Sequence, residues 1–308
     1  MLSHKKDRIA WLYIAIPLFL LTVFTFYPLI KTVLISFFTQ YNPTNDTFGS
    51  YFDLMAYQAV FIDNSFFTAL ANTTVLVIFT VGGSTILALL IAVGLNSIKP
   101  LQKIFQTIFF IPYVTNTLAV GMVFSLMFAH PTVSGGIPEG LVNTILNLKL
   151  DWIGDTAPYE RWMMVVVIYN IWNALPFKIL VFIGGLQSIS KQYYDAAKID
   201  STPKRRVFSK ITVPLLSPLI SYIVITSLIG AFKTYESVLA VAGEGRYLYQ
   251  GKWTVVAYVY SKIKGDGWLD DNFVSYYSKG AAAAVILFLI IMIITVFNLY
   301  VSKKKVHY

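Results

Sequence analysis

Hydrophobic and polar positions alternate along this chain in long blocks, not at the short periods of an amphipathic helix or a half-buried strand. Six apolar runs stand out, at about 9–38, 66–95, 104–129, 162–187, 211–232 and 280–301. A helix of about 20 residues crosses the hydrocarbon core of a bilayer, and each run reaches that length. Residues 65–98 carry no charged side chain at all. The pattern predicts an all-α polytopic membrane protein with six transmembrane helices, forming one membrane domain over residues 1–308. Pro17 and Pro28 predict kinks in the first run. Gly82, Gly83, Ser84, Ala88 and Gly94 in the second suit close helix packing. Lys5, Lys6 and Arg8 open the chain as in a signal peptide. The run that follows is longer than the ~7–15 apolar residues of such a peptide, and no small-residue cleavage site succeeds it. It is expected to stay as the first span.

Composition strengthens the membrane reading. Of 308 residues, 56% are hydrophobic and 13% charged, against about 25% charged in a soluble domain. There is no cysteine, which excludes disulfides, thiol chemistry and Cys-ligated zinc. The net charge of +9 would by itself suit nucleic acid or an anionic surface, but its distribution says otherwise. Segments 1–8, 96–103, 188–210 and 302–308 hold 14 Lys and Arg against three Asp. The alternate segments hold seven Lys and Arg against twelve acids. Basic loops stay in the cytoplasm. Both termini and the 188–210 loop are therefore expected inside a cell membrane that the chain crosses several times.

The most informative stretch is Ser190 to Pro218. It holds Lys191, Lys198, Lys204, Arg205, Arg206 and Lys210 against Asp195 and Asp200. Ser190 is a helix N-cap candidate for 191–199, and Thr202-Pro203 is a second start signal. Two short helices are expected, with a bend near Asp200 and Ser201, the second running straight into the fifth span. The stretch resembles the "EAA" loop of ABC importer permeases of the sugar type, the maltose and glycerol-phosphate family. That pattern runs Glu-Ala-Ala, Asp-Gly-Ala, a Phe, an Ile and Leu-Pro-x-Leu-x-Pro. The matching positions are Asp195, Ala196, Ala197, Asp200, Ser201, Thr202, Phe208, Ile211, Val213, Pro214, Leu216 and Pro218. Asp195, Ser201 and Thr202 stand in place of Glu, Gly and Ala. If the bend needs positive φ at Ser201, serine fits it less well than glycine. The resemblance extends to Asn72-Thr73-Thr74, to Trp172, Pro176, Gly185, Leu186, Gln187 and Ile189, and to 280–284.

The resemblance implies a coupling loop at 190–210, with Asp195, Ala196, Ala197, Asp200, Ser201, Thr202 and Phe208 engaging an ATPase. It also implies a second homologous permease, two ABC ATPase subunits, an extracellular solute-binding protein and a carbohydrate substrate, a di- or oligosaccharide. ATP and magnesium would belong to the ATPases, leaving this chain without cofactor or enzymatic activity.

Elsewhere the residues carry little chemistry. No G-x-x-x-x-G-K-[ST] string is present, so no P-loop is expected. His4, His130 and His307 lack metal-ligand spacing. Gly243-Glu244-Gly245 is too weak for a phosphate loop, and with Arg246 it resembles the family's Gly-Gly-Pro turn. Asp270 and Asp271 read as a solvated loop. A sugar path needs aromatic faces, amides and hydroxyls. Asn170, Asn173 and Phe177 share one face of the fourth span, and Ser227, Gly230, Ala231 and Thr234 one face of the fifth. These either line a path or bond neighbouring helices. Lys178, Lys233 and Glu236 are ionisable groups in or near spans and so are functional candidates; Lys233 and Glu236 are spaced to pair. Two other classes stay open: an ion-coupled secondary transporter, which would need inverted repeats and membrane-buried carboxylates, and a non-transporting scaffold.

Overall fold

The computed structural model describes residues 3–49, 51–98, 102–130, 140–154, 156–243, 251–264 and 274–305. In chain order the helices are α1 (Ser3–Leu21), α2 (Tyr27–Ser36), α3 (Met55–Ile62), α4 (Asn64–Ser97), α5 (Gln102–Val114), α6 (Thr117–Met127), α7 (Leu141–Leu146) and α8 (Tyr159–Ser188). There follow α9 (Lys191–Ile199), α10 (Lys204–Val207), α11 (Val213–Leu215), α12 (Ser217–Phe232), α13 (Glu236–Ala242), α14 (Val255–Lys264) and α15 (Tyr276–Lys305). Tyr13–Ser36, Asn64–Ser97, Tyr159–Ser188 and Tyr276–Lys303 are long and apolar enough to cross a membrane; Lys204–Leu215 with Ser217–Phe232 makes a fifth if that bent pair is one span. The chain divides into two compact units, Met1–Phe67 with Tyr258–Phe288 and Thr68–Ala257 with Leu289–Tyr308.

In the first unit, α1 and α2 are joined by a π turn, Thr22–Phe26, closed by the Tyr27 amide on the Thr22 carbonyl. Pro28 explains it. A proline removes one amide donor and crowds the carbonyl four residues back, and a widened turn relieves both. Pro17, expected to kink the run, sits inside an unbroken α1. No residue of the apolar window in Tyr13–Ser36 is buried within the chain. The loop after α2 is held by the Ser275 amide and hydroxyl, which donate to the Thr39 and Tyr41 carbonyls at 2.8 and 2.7 Å. Asp63, between α3 and α4, accepts from the Tyr258 hydroxyl at 2.8 Å and faces Lys279 and Lys262 at 3.1 and 3.5 Å. Burial pushes its carboxyl up, but the Tyr258 and Lys279 hydrogen bonds and the two ammonium charges outweigh this and hold it down at about 2.

The described residues of the second unit include two large apolar clusters and a smaller one around Ala257. Of the large ones, one gathers Leu76, Trp162, Val165, Val166, Tyr169, Val238 and Val241; the other gathers Ala88, Ala92, Ile179, Phe182, Ile183, Leu216 and Ile223. Close contacts fix where side chains cannot be. A Cβ on Gly121 would strike Ala240 of α13, and one on Gly185 would strike Leu219 and Leu216. Ser84 and Ala88 are fully buried, as close packing requires, whereas a Cβ on Gly82 or Gly94 would meet open space. Asn72 donates to the Gly251 and Trp253 carbonyls at 2.7 and 3.0 Å, and Thr73 accepts from the Val255 amide at 3.0 Å. The Asn-Thr pair thus ties the 251–255 segment to α4, two turns into the helix.

Two expected spans are not continuous. Run 104–129 breaks at Thr115 and Asn116 into α5 and α6, because Asn116 turns extended and its side chain accepts from the Leu118 and Ala119 amides as an N-cap. Run 211–232 does not continue straight from the loop helix. A π turn, Phe208–Thr212, precedes Pro214, and the axis then bends by 66° between Leu215 and Ser217. Pro218 has no amide for the Pro214 carbonyl, which accounts for the bend.

Candidate coupling elbow and transport path

The 190–218 stretch folds from its own local chemistry. The Ser190 hydroxyl accepts from the Gln192 amide at 3.4 Å and starts α9. At the other end, the Ser201 amide donates to the Lys198 carbonyl at 3.0 Å and the Thr202 amide to the Ala197 carbonyl at 2.9 Å. That pair of bonds is a Schellman cap, whose central residue must be left-handed. Ser201 occupies that position with φ 52°. The backbone there needs the conformation glycine adopts freely, and a serine supplies it. Pro203 then adopts an extended ψ of 143° and caps α10, one residue before the helix in place of its first position. Its carbonyl accepts from the Arg206 and Val207 amides at 2.8 and 3.1 Å.

The elbow presents most of its expected contact residues outward. Asp195, Ala196, Asp200 and Ser201 are exposed, and Thr202 and Phe208 half-buried. Asp195 pairs with Lys198 at 3.4 Å, an exposed i,i+3 pair. Ala197 is the exception: it is 6% exposed and is the buried residue of α9. Sequence reasoning passed over Ile199 and Tyr193, which are 85% and 54% exposed. Both side chains are left uncovered within this chain. The signal was present in sequence as an apolar residue just before the Asp200 bend.

The expected path residues divide. Asn170 is buried; its amide donates to the Val166 carbonyl at 2.8 Å and its oxygen accepts from the Ser237 hydroxyl at 2.8 Å. It joins α8 to α13. Asn173 is half-buried, and Phe177, 37% exposed, stacks on Tyr113 of α5 with centroids 5.8 Å apart and planes 21° apart. On α12 and the turn after it, Ser227, Ala231 and Thr234 are half-buried, and Gly230 is exposed with open space where a Cβ would be. Lys178 is buried and donates to the Ser84 and Thr85 hydroxyls at 2.7 and 3.1 Å, bracing α8 against α4. Lys233 and Glu236 are both exposed, and among the described residues no ion pair joins them. Glu244, Gly245, Arg246, Asp270 and Asp271 lie outside the described residues.

The family described as "Binding-protein-dependent transport system inner membrane component" matches residues 84–307, a range that contains the elbow and the bent fifth helix. The chain belongs to that family. As a permease of this family it is set apart from ion-coupled secondary transporters and from scaffolds. It is 32% identical to the "Arabinooligosaccharides transport system permease protein AraP" of Halalkalibacterium halodurans, over 94% of this chain and 87% of that protein. It is 26% identical to the "Lactose transport system permease protein LacF" of Rhizobium radiobacter, over 99% of this chain and 97% of that one. In fold this permease matches a chain of a bacterial ABC transporter involved in the import of the acidic polysaccharide alginate. The TM-score is 0.81 at 18% identity, covering 98% of this chain and 97% of the other.

Proposed function

We propose that this permease is the membrane-spanning subunit of an ABC importer that brings a di- or oligosaccharide into the cytoplasm, driven by ATP hydrolysis on separate subunits. Residues 1–308 form one permease domain of six spans, the broken α5–α6 pair and the bent α10–α12 segment each counting as one. Both termini and the 190–210 elbow lie in the cytoplasm. Two ATPase subunits, which hold ATP and magnesium, dock below, and α9 of this chain engages one of them. Asp195, Ala196, Asp200, Ser201, Thr202 and Phe208 form the contact with Ile199 and Tyr193, while Ala197 seats α9 on the membrane helices. A second, homologous permease completes the pathway, and the apolar face of α1 and α2, uncovered within this chain, is available to it and to lipid. A solute-binding protein delivers the sugar from outside. Asn173, Phe177, Ser227, Gly230, Ala231 and Thr234 line its route, with Asn170 holding that face in place from behind.

The observation that carries this reading is the Schellman-capped helix α9 with Ile199 uncovered at its end. A rigid, capped helix can transmit a push, which a flexible loop cannot. Support for a sugar as cargo comes from the relatives named for arabino-oligosaccharides and lactose. The test is ATP-driven uptake of radiolabelled arabinotriose, lactose and maltotriose by proteoliposomes holding the assembled complex. Uptake of at least one sugar is expected, lost on Ala196→Glu or Asp200→Ala while the complex inserts normally. No uptake of any sugar by the wild-type complex would refute the reading.

A further inference from the structure

The segment between α2 and α4 carries large apolar side chains on its outside. α3 buries the small residues Ala56 and Ala59, with Val60. On the opposite face Met55, Gln58 and Ile62 are spaced i, i+3 and i+7, with Phe61 alongside, and all four are exposed. Met55 is 48%, Phe61 55% and Ile62 78% exposed, and Leu54, just ahead of the helix, 56%. A surface helix of a soluble domain has the reverse arrangement, apolar inside and polar outside. α3 also holds no charged residue. The acids around it are engaged elsewhere: Asp46 with Lys31, Asp53 with the Thr39 hydroxyl and the Met55 amide, and Asp63 with Tyr258, Lys262 and Lys279.

The place of α3 in the chain identifies what covers this face. Asp63, extended at ψ 104°, is the single residue between α3 and α4. α4 has 34 residues, about 51 Å at 1.5 Å each. That length crosses the hydrocarbon core and both headgroup layers, about 40–45 Å together. The first turn of α4, and Ile62 with it, therefore stands at a membrane surface. Phe67, in that turn, is 46% exposed, so the uncovered apolar surface runs from α3 onto a membrane-crossing helix. At the end of α2, Phe37 stacks on Phe52 with centroids 4.9 Å and planes 12° apart. Phe52 is 67% and its neighbour Tyr51 80% exposed. Aromatic rings gather at this level of a bilayer. A lipid surface asks only for apolar area and rings at the right height, and this segment offers both. Its charges are acidic, not basic, so anionic headgroups are not what attracts it. The fitting partner is the glycerol and upper acyl zone of an uncharged or zwitterionic phospholipid.

We propose that α3 is an interfacial helix. It lies on the membrane surface at which α4 begins, the extracellular one in the orientation given above, with Met55, Phe61 and Ile62 sunk into the glycerol and upper acyl zone. It rests the unit Met1–Phe67 with Tyr258–Phe288 on the bilayer at a fixed depth. This role is independent of the cargo.

The chain has no native cysteine, which allows single labels. Ile62→Cys, Met55→Cys and, as the aqueous control, Asn45→Cys in an exposed turn are each labelled with bimane. The permease is held in the full complex with cysteine-free partner subunits, in phosphatidylcholine vesicles. The vesicles contain lipid brominated high on the acyl chain, lipid brominated near its end, or neither. Bromines high on the chain should lower the emission of both α3 labels at least twofold, more than bromines near its end, and leave Asn45→Cys unchanged. An excess of the solute-binding protein should not alter this quenching. Reading two positions keeps the test open if one substitution prevents assembly. Quenching on α3 no stronger than at Asn45→Cys overturns the proposal. Blue-shifted emission without quenching also overturns it, by placing the second permease over the face. Quenching that disappears on adding the binding protein overturns it too, by making α3 that protein's docking surface.

Discussion

The Thr202 amide donates to the Ala197 carbonyl at 2.9 Å across a turn that holds Ser201 at φ 52°. With the Ser201–Lys198 bond it closes the cap of α9, and the cap holds an L-residue in a conformation that costs about 1 kcal/mol relative to glycine. Ser201→Gly should therefore raise the stability of the complex by about 1 kcal/mol, seen as a Tm increase of about 2–4 °C, with uptake retained. Ser201→Val, β-branched in the same position, should lower both. Equal Tm values for the three proteins would mean that the turn does not carry the strain assigned to it.

Ile199 is uncovered, so replacing it costs the permease itself almost nothing. Ile199→Asp should leave membrane insertion and Tm unchanged and reduce ATP-driven uptake at least tenfold, because a charge would be buried against the ATPase. Tyr193→Ala should act in the same direction more weakly. Co-purification of the ATPase with each variant reads the effect directly.

Asn170 and Ser237 form a buried side-chain pair. Asn170→Leu leaves the Ser237 hydroxyl without its acceptor and should cost about 1–3 kcal/mol. Adding Ser237→Ala should recover part of that loss, and a double-mutant cycle of thermal unfolding in detergent gives the coupling. A KM effect without a stability effect would instead make Asn170 a residue of the path.

Asp63 contributes a pH-dependent term. Its folded value of about 2 is below the ordinary carboxylate value of about 3.9. Its stabilisation is present in full above the ordinary value and is lost as pH falls from about 4 through about 2. Asp63→Asn should remove about 2 kcal/mol at neutral pH and flatten the acid limb of the stability profile over that window. A wild-type limb that persists unchanged in Asp63→Asn would assign the acid sensitivity elsewhere.

Much of this was readable from residue order alone. Ser190, the Asp200-Ser201 bend and Pro203 gave the two elbow helices because capping and proline geometry are local. All but the last residue of the long charge-free run at 65–98 lies within one unbroken helix, α4 (Asn64–Ser97). The break at Asn116 was less visible, since a hydropathy window averages over the Thr-Asn-Thr string that caps α6. The bend after Leu215 was signalled by Pro214 and Pro218, yet proline alone does not fix an angle: Pro17 and Pro176 sit in unbroken helices. Asp63 with Tyr258, Lys262 and Lys279 was invisible, because Asp63 and Tyr258 are 195 residues apart and no local pattern joins them. Ala197 and Ile199 show the remaining gap. Which face of a nine-residue helix turns inward depends on tertiary packing that short periodicity does not reveal.

The central claim is that α9 is the handle by which an ATPase moves this permease. The most direct measurement is crosslinking from a single Ile199→Cys in the assembled complex, using a bifunctional maleimide, with membrane-impermeant maleimide applied to intact cells as the companion arm. The account predicts an adduct of permease and ATPase whose yield changes with ATP, and no labelling from outside. Absence of any ATPase adduct, or labelling of Ile199→Cys from the cell exterior, would contradict it.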